Sequence, residues 1–215
     1  MSTSFTNLSG FTAGEANHPP LQRMSEEQFV GWIARIDAKA EWVDGEIQMM
    51  SPANWEHTSL RRWLDDVMTW YVAERNLGTV GDDTLVRLGR LRRLRIPDIF
   101  FVRRGREAII TATMLTEPPD LVVEIVSPDS AARDWREKHK EYEAQGITEY
   151  WVIDPRAESF EVYVLDDGGR YQGLPVEEGI IRSTVLAGFW LRSEWFASES
   201  RPSVKEVLQA LGVVQ

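Results

Sequence analysis

Residues 121–126, Leu-Val-Val-Glu-Ile-Val, form an apolar run with one carboxylate set into it. Such a run reads as a strand buried on both faces, and a charge inside it is costly unless paired or bound to a cation. Glu124 therefore needs a partner. A second carboxylate, Asp98, follows Pro97 and leads into the apolar stretch Ile99–Val102. Two carboxylates on neighbouring strands suit a hard divalent cation. Mg2+ (or Mn2+) takes one or two such groups, keeps several waters and accepts a phosphate oxygen from a substrate. The ion would polarise that phosphate and lower the pKa of an attacking water. Lys138, downstream of Glu124, is a candidate ammonium to orient the water or stabilise charge developing on the phosphate.

The elements between these residues must bring them together. After Val126, Ser127–Pro128–Asp129–Ser130 breaks the strand and offers caps for a helix. On that helix Asp134, Lys138 and Tyr142 fall at steps of four and share one face. Gly146 ends it, and Tyr150–Ile153 reads as the next strand. Upstream, Ser25 with Gln28 makes a capping box for a short helix to about Arg35. Asp44–Gly45, between apolar-rich segments at 40–43 and 46–50, signals a hairpin.

Leu60, Trp63, Leu64, Val67, Trp70 and Tyr71 recur at steps of three and four and predict a helix over 54–76, with Gly78 as its stop. The tryptophans read as core. His57, near the helix start, reads as a packing or capping residue, with the switching and ligand roles of histidine left open. Residues 79–88 and 91–102 read as a second hairpin around Gly89–Arg90. Pro97 marks an edge, a bulge or a strand start, because proline cannot donate to a ladder. Residues 103–118 form a connection with a short helix expected over 108–115. A third hairpin is expected over 160–165 and 170–174, strand and turn over 180–191, and a terminal helix over 204–211. Residues 1–22 read as a loose N-terminal tail, and 23–215 as a single domain without internal repeats.

Composition narrows the class. The 215 residues are 43% hydrophobic and 27% charged, ordinary for a globular protein. There is no cysteine, hence no disulfide and no thiolate metal site. No apolar run approaches the roughly 20 residues of a membrane span, and no secretory signal is visible, so a cytoplasmic location is expected. The net charge of −10 argues against a general nucleic-acid binder. Residues 87–106 nevertheless hold eight arginines against one acid. That stripe is either a solvated edge or a surface for phosphate.

The element order and these residues resemble the PD-(D/E)xK nuclease superfamily, whose signature is a Pro-Asp followed, on the next strand, by an acid and a lysine two apart. Pro97–Asp98 and Glu124 match; the position two beyond Glu124 is Val126, not lysine. Some superfamily members carry the lysine on the following helix, which points to Lys138. More closely, the chain resembles the Uma-type restriction-endonuclease-like family from about Met24 to Phe196. The likeness rests on Glu41-Trp-Val-Asp-Gly-Glu46, Ser51–Pro52 with His57, Pro97-Asp-Ile-Phe-Phe-Val102, Pro119-Asp-Leu-Val-Val-Glu-Ile-Val-Ser-Pro128, Arg133–Asp134 with Lys138 and Tyr142, and Glu149-Tyr-Trp-Val-Ile-Asp-Pro155. The resemblance implies a metal-dependent nuclease with a site of Asp98, Glu124 and Lys138, the first two on the metal. Glu41 is a candidate fourth polar member.

The expected fold is therefore α/β and restriction-endonuclease-like: a mixed central sheet flanked by helices, with an N-terminal hairpin and a C-terminal β extension. The expected activity is Mg2+-dependent hydrolysis of DNA phosphodiester bonds, with Arg92, Arg93 and Arg95 as candidate phosphate contacts. Counting by twos from Asp98 places Arg93 and Arg95 on the other strand face unless a bulge at Pro97 shifts the register, so that they would serve duplex backbone, a partner or a homodimer interface rather than the metal. A catalytically inactive module that keeps the fold and binds nucleic acid or protein is the alternative, favoured by Val126 and the acidic charge. Paired-carboxylate glycoside hydrolysis would need an aromatic sugar cleft, and the periodic tryptophans read as core instead.

Overall fold

The computed structural model describes residues 23–126, 134–157, 159–197, 199 and 201–215, the side chains of Asp134 and Trp135 excepted. The tail over 1–22 and the capping segment at 127–130 lie outside the described residues. In chain order the elements are α1 (Glu26–Ile33), β1 (Ala40–Val43), β2 (Glu46–Met49), α2 (Trp55–Arg75), β3 (Gly78–Asp82), β4 (Leu85–Leu88), β5 (Arg93–Arg95) and β6 (Ile99–Arg103). There follow β7 (Met114–Leu115), β8 (Leu121–Ile125), α3 (Asp134–Gln145), β9 (Glu149–Asp154), β10 (Ser159–Leu165), β11 (Tyr171–Gly173), β12 (Ile180–Arg182), β13 (Trp190–Arg192) and α4 (Val204–Ala210).

The central sheet has six strands in the order β11-β10-β9-β8-β6-β3. It is mixed: β8 and β9 run parallel, joined through α3, and every other neighbouring pair is antiparallel. One face carries the main core. Leu60, Leu64, Val67 and Met68 of α2 pack on Ile99, Phe101, Leu121, Val123 and Ile125, and α4 with the β12–β13 ribbon closes over them. On the other face Tyr142 of α3 packs with Phe100, Val122, Tyr150 and Val152, alongside Val86 and Leu88 of a second sheet. That sheet has the order β2-β1-β5-β4-β7, with α1 packed on it through Phe29 and Trp32. No helix among the described residues is long and apolar enough to cross a membrane.

The second hairpin forms, but it is bent across both sheets. Gly78 to Asp82 pair with Arg103 to Ile99 in the central sheet, and Val86 to Leu88 pair with Arg95 to Arg93 in the second. Both halves obey one register. The ladder breaks only where Asp83 takes a positive φ of 45° on one arm and Ile96–Pro97–Asp98 turn on the other. Proline has no N–H to give to a ladder, which suits Pro97 to the bend.

The helix expected over 108–115 is absent. A single 3-10 turn at Glu107–Ile109 is followed by β7, which pairs in parallel with Leu85 and Val86. Ile109, Ile110, Thr111 and Thr113 are β-branched and stiff at χ1, and the Thr111 hydroxyl donates to the Met114 carbonyl (2.7 Å), tying a turn instead.

Candidate active site

Asp98 leaves the hairpin bend at the start of β6. The β6–β8 register pairs Ile99 with Val123, and Asp98, one residue before β6, stands close enough to Glu124 for its charge to act on that carboxyl. Continued past β6, that register would set Ile125 against Pro97. Instead, the Ile125 N–H donates to Asp98 Oδ2 at 2.7 Å. The bend thus lets a side-chain carboxylate replace a main-chain ladder bond and fixes Asp98 at the edge of Glu124's strand.

Glu124 is 8% exposed and Lys138 is 4% exposed. The Lys138 Nζ donates to both Glu124 oxygens, at 3.0 and 3.1 Å, and the Tyr142 hydroxyl donates to Oε1 at 2.7 Å. Lys138 and Tyr142 lie one turn apart on the buried face of α3, together with Glu141. Val126 packs with the apolar residues of that face, so no ammonium comes from the strand. Burial alone does not mark this carboxylate. Glu149 is also buried, yet it is saturated by Trp151 Nε1, the Thr184 hydroxyl and two backbone N–H groups. Glu124 differs in facing an ammonium, a phenol and other acids.

Glu41 joins from β1. Its Oε1 accepts from the Ile96 N–H (3.0 Å) and lies 3.4 Å from Lys138 Nζ, while Oε2 accepts from Arg95 NH1 at 2.7 Å. Strand pairing explains the contact. Glu41 faces Gln48 across β1–β2, and one step beyond the Trp42–Leu94 pair sets it opposite Arg95. Gln48, Glu41 and Arg95 therefore form one cross-strand row, and Arg95 also donates to Gln48 and doubly to Glu141.

This chemistry sets the charges. Burial would raise Glu41, but Lys138, Arg95 and the Ile96 N–H outweigh it and hold the carboxyl below its ordinary range. Glu124 goes the other way. Burial pushes it up, Lys138 and Tyr142 pull it down, Asp98 and Glu41 push it up again, and it settles at about 7. Burial and the Glu124 charge hold the Tyr142 phenol well above its usual value, so it stays a donor. His57 Nε2 lies 3.2 Å from Asp98 Oδ2; burial would lower the imidazole, but the Asp98 hydrogen bond and charge raise it above its ordinary value.

The arginine stripe is not a continuous surface. Arg95 is 0% exposed, with Glu141, Glu41 and Gln48 around its guanidinium, and the two carboxylates outweigh burial in keeping it charged. Arg93 pairs with Glu141 and Asp44. Arg92 alone of the three is exposed, in a left-handed conformation at φ 54°. The expectation of a phosphate contact through Arg95 is thereby corrected. Counting by twos across Pro97 fails because β5 and β6 belong to different sheets. The face that carries Arg93 and Arg95, expected to meet solvent or phosphate, is covered by α3 through Glu141. Glu141 and Gln48 escaped the sequence reading as well; the hairpin register, carried one strand further, was the available signal for Gln48.

The described residues contain no group of three or more His, Cys, Asp and Glu side chains that could hold a metal ion. Asp98 and Glu124 supply two carboxylates, a donor set that fits Mg2+ with its retained waters. Burial is the main cause of the raised Glu124, with the Asp98 and Glu41 charges adding to it, and a cation between the carboxylates would offset that added charge.

A crystal structure described as "a putative nuclease belonging to DUF820" from Anabaena variabilis ATCC 29413 superposes with a TM-score of 0.60, at 17% identity, over 85% of this chain and 98% of that chain. At that identity the likeness shows the fold alone, mixed sheets flanked by helices. A Synechocystis sp. protein, "Uncharacterized protein slr1290", is 22% identical over 151 residues, 70% of this chain and 78% of that protein. Residues 26–194 match the model of Uma2, described as "Putative restriction endonuclease". That match spans well over half of the chain, which therefore belongs to the Uma2 family of restriction-endonuclease-like proteins.

Proposed function

We propose that this protein is a Mg2+-dependent endonuclease that hydrolyses DNA phosphodiester bonds at Asp98, Glu124 and Lys138. The observation that carries the reading is the Lys138 ammonium, delivered by α3 onto both oxygens of Glu124 at 3.0 and 3.1 Å, beside an Asp98 fixed by the Ile125 N–H. Asp98 and Glu124 would hold the ion, which supplies Lewis acidity toward a phosphate oxygen and toward bound water. Lys138 places positive charge where negative charge develops on the phosphate. Tyr142 and Glu41 hold Lys138 and Glu124 in place. Exposed Arg92 is the arginine of the trio available for a phosphate contact.

The reading is tested by crystals soaked in Mn2+. Anomalous density is expected between the Asp98 and Glu124 carboxylates and should vanish in Glu124→Gln. Density elsewhere, or none, would favour the inactive nucleic-acid- or protein-binding module.

A further inference from the structure

We infer that His57 is the positioning residue of Asp98, holding its carboxylate from the α2 side while β8 holds it from the other. This rests on the reading of Asp98 as a cation ligand. The Asn54 side chain caps α2 by accepting the His57 N–H at 2.9 Å, which sets the imidazole one turn into the helix. His57 Nε2 then lies 3.2 Å from both Asp98 oxygens. A carboxylate only accepts, so Nε2 carries the hydrogen and donates. With the Ile125 N–H at 2.7 Å from Oδ2, Asp98 is gripped by one donor from the sheet and one from the helix. The grip joins the two elements that frame the site.

A packing role accounts poorly for this arrangement. His57 is 8% exposed, and Nδ1 has no hydrogen-bond partner among the described residues. The ring's polar contact there is the one made through Nε2 to Asp98. A leucine or phenylalanine would fill the volume without leaving a buried ring nitrogen to satisfy. A donor aimed at the carboxylate is what histidine adds. Partners that orient metal-ligating groups in this way act through ligand placement.

The test compares His57→Leu, which keeps volume and loses the donor, with His57→Gln, whose amide N–H can stand near the Nε2 position. Mn2+ affinity by calorimetry, kcat and KM on duplex DNA, apo melting temperature and an apo crystal structure are read for each. His57→Leu is expected to lose about 10–100-fold in Mn2+ affinity and in kcat, with KM for DNA unchanged and the Asp98 carboxylate released to a second rotamer. His57→Gln should recover most of both. An unmoved Asp98 in His57→Leu overturns the inference, as does wild-type Mn2+ affinity in that variant. Equal losses in Leu and Gln variants that track a fall in melting temperature also overturn it, in favour of packing. If wild type binds no Mn2+, the metal reading fails, and the Asp98 rotamer still decides the role of His57.

Discussion

Lys138 and Glu124 meet although 14 residues separate them: the ammonium sits 3.0 Å from one carboxylate oxygen and 3.1 Å from the other, both groups being buried. A lysine on the same strand would have to stand at Val126, which is apolar and packs with the face behind Tyr142. The helix α3 therefore carries the cation to the strand, and the β8–α3–β9 crossover is what holds it there.

If Lys138 serves the reaction, Lys138→Ala should lower kcat by about 10²–10³-fold. It should also destabilise the fold, because Glu124 and Glu41 would be left buried beside each other. Val126→Lys in that background should restore part of the rate, since it returns an ammonium to the Glu124 face. Single-turnover cleavage measures both. A Lys138→Ala protein cleaving at the wild-type rate would remove Lys138 from the mechanism.

Arg95 and Arg92 should behave as opposites. Arg95→Met strips the countercharge from Glu41 and Glu141, and a loss of about 3–5 kcal/mol is expected in urea unfolding, with the salt dependence of DNA binding unchanged. Arg92→Ala should leave stability alone, weaken binding across sequences alike and flatten the salt slope by roughly one unit. An unchanged slope in Arg92→Ala would assign that residue to solvent.

The contrast between these arginines shows what the sequence carried. Glu124 and Asp98 were legible because each breaks a local pattern, a charge in a buried strand and an acid after a proline at a strand start, whereas Lys138 was singled out through the family resemblance, with Val126 at the position where a lysine was expected. The helices α2 and α3 and the hairpins followed from periodicity and turn residues. Arg95 was not legible, because alternation within one strand says only which face a residue takes, not whether a later helix will cover it. Nor could periodicity show the bend at Pro97, since both halves of the hairpin keep one register while joining different sheets.

Asp65 on α2 offers a pH test away from the site. Burial, with Asp82 and Asp66 nearby, raises its carboxyl to about 6, against a partial opposing effect of Arg61. A raised carboxyl favours folding below its unfolded value of 3.8 and loses that contribution as pH rises through about 6. Asp65→Asn should therefore melt higher than wild type at about pH 8, with the difference closing below about pH 4. A constant difference across that range would mean that Asp65 is not perturbed.

The most direct measurement is a Mg2+ titration of duplex DNA cleavage by wild type and Glu124→Gln, each shown to be folded by its melting transition. Wild type is expected to cleave with saturable dependence on Mg2+ and to stop on chelation, and Glu124→Gln to stay inactive at every Mg2+ concentration. Cleavage that survives chelation, equal cleavage by Glu124→Gln, or no cleavage by wild type at any Mg2+ concentration would contradict the account.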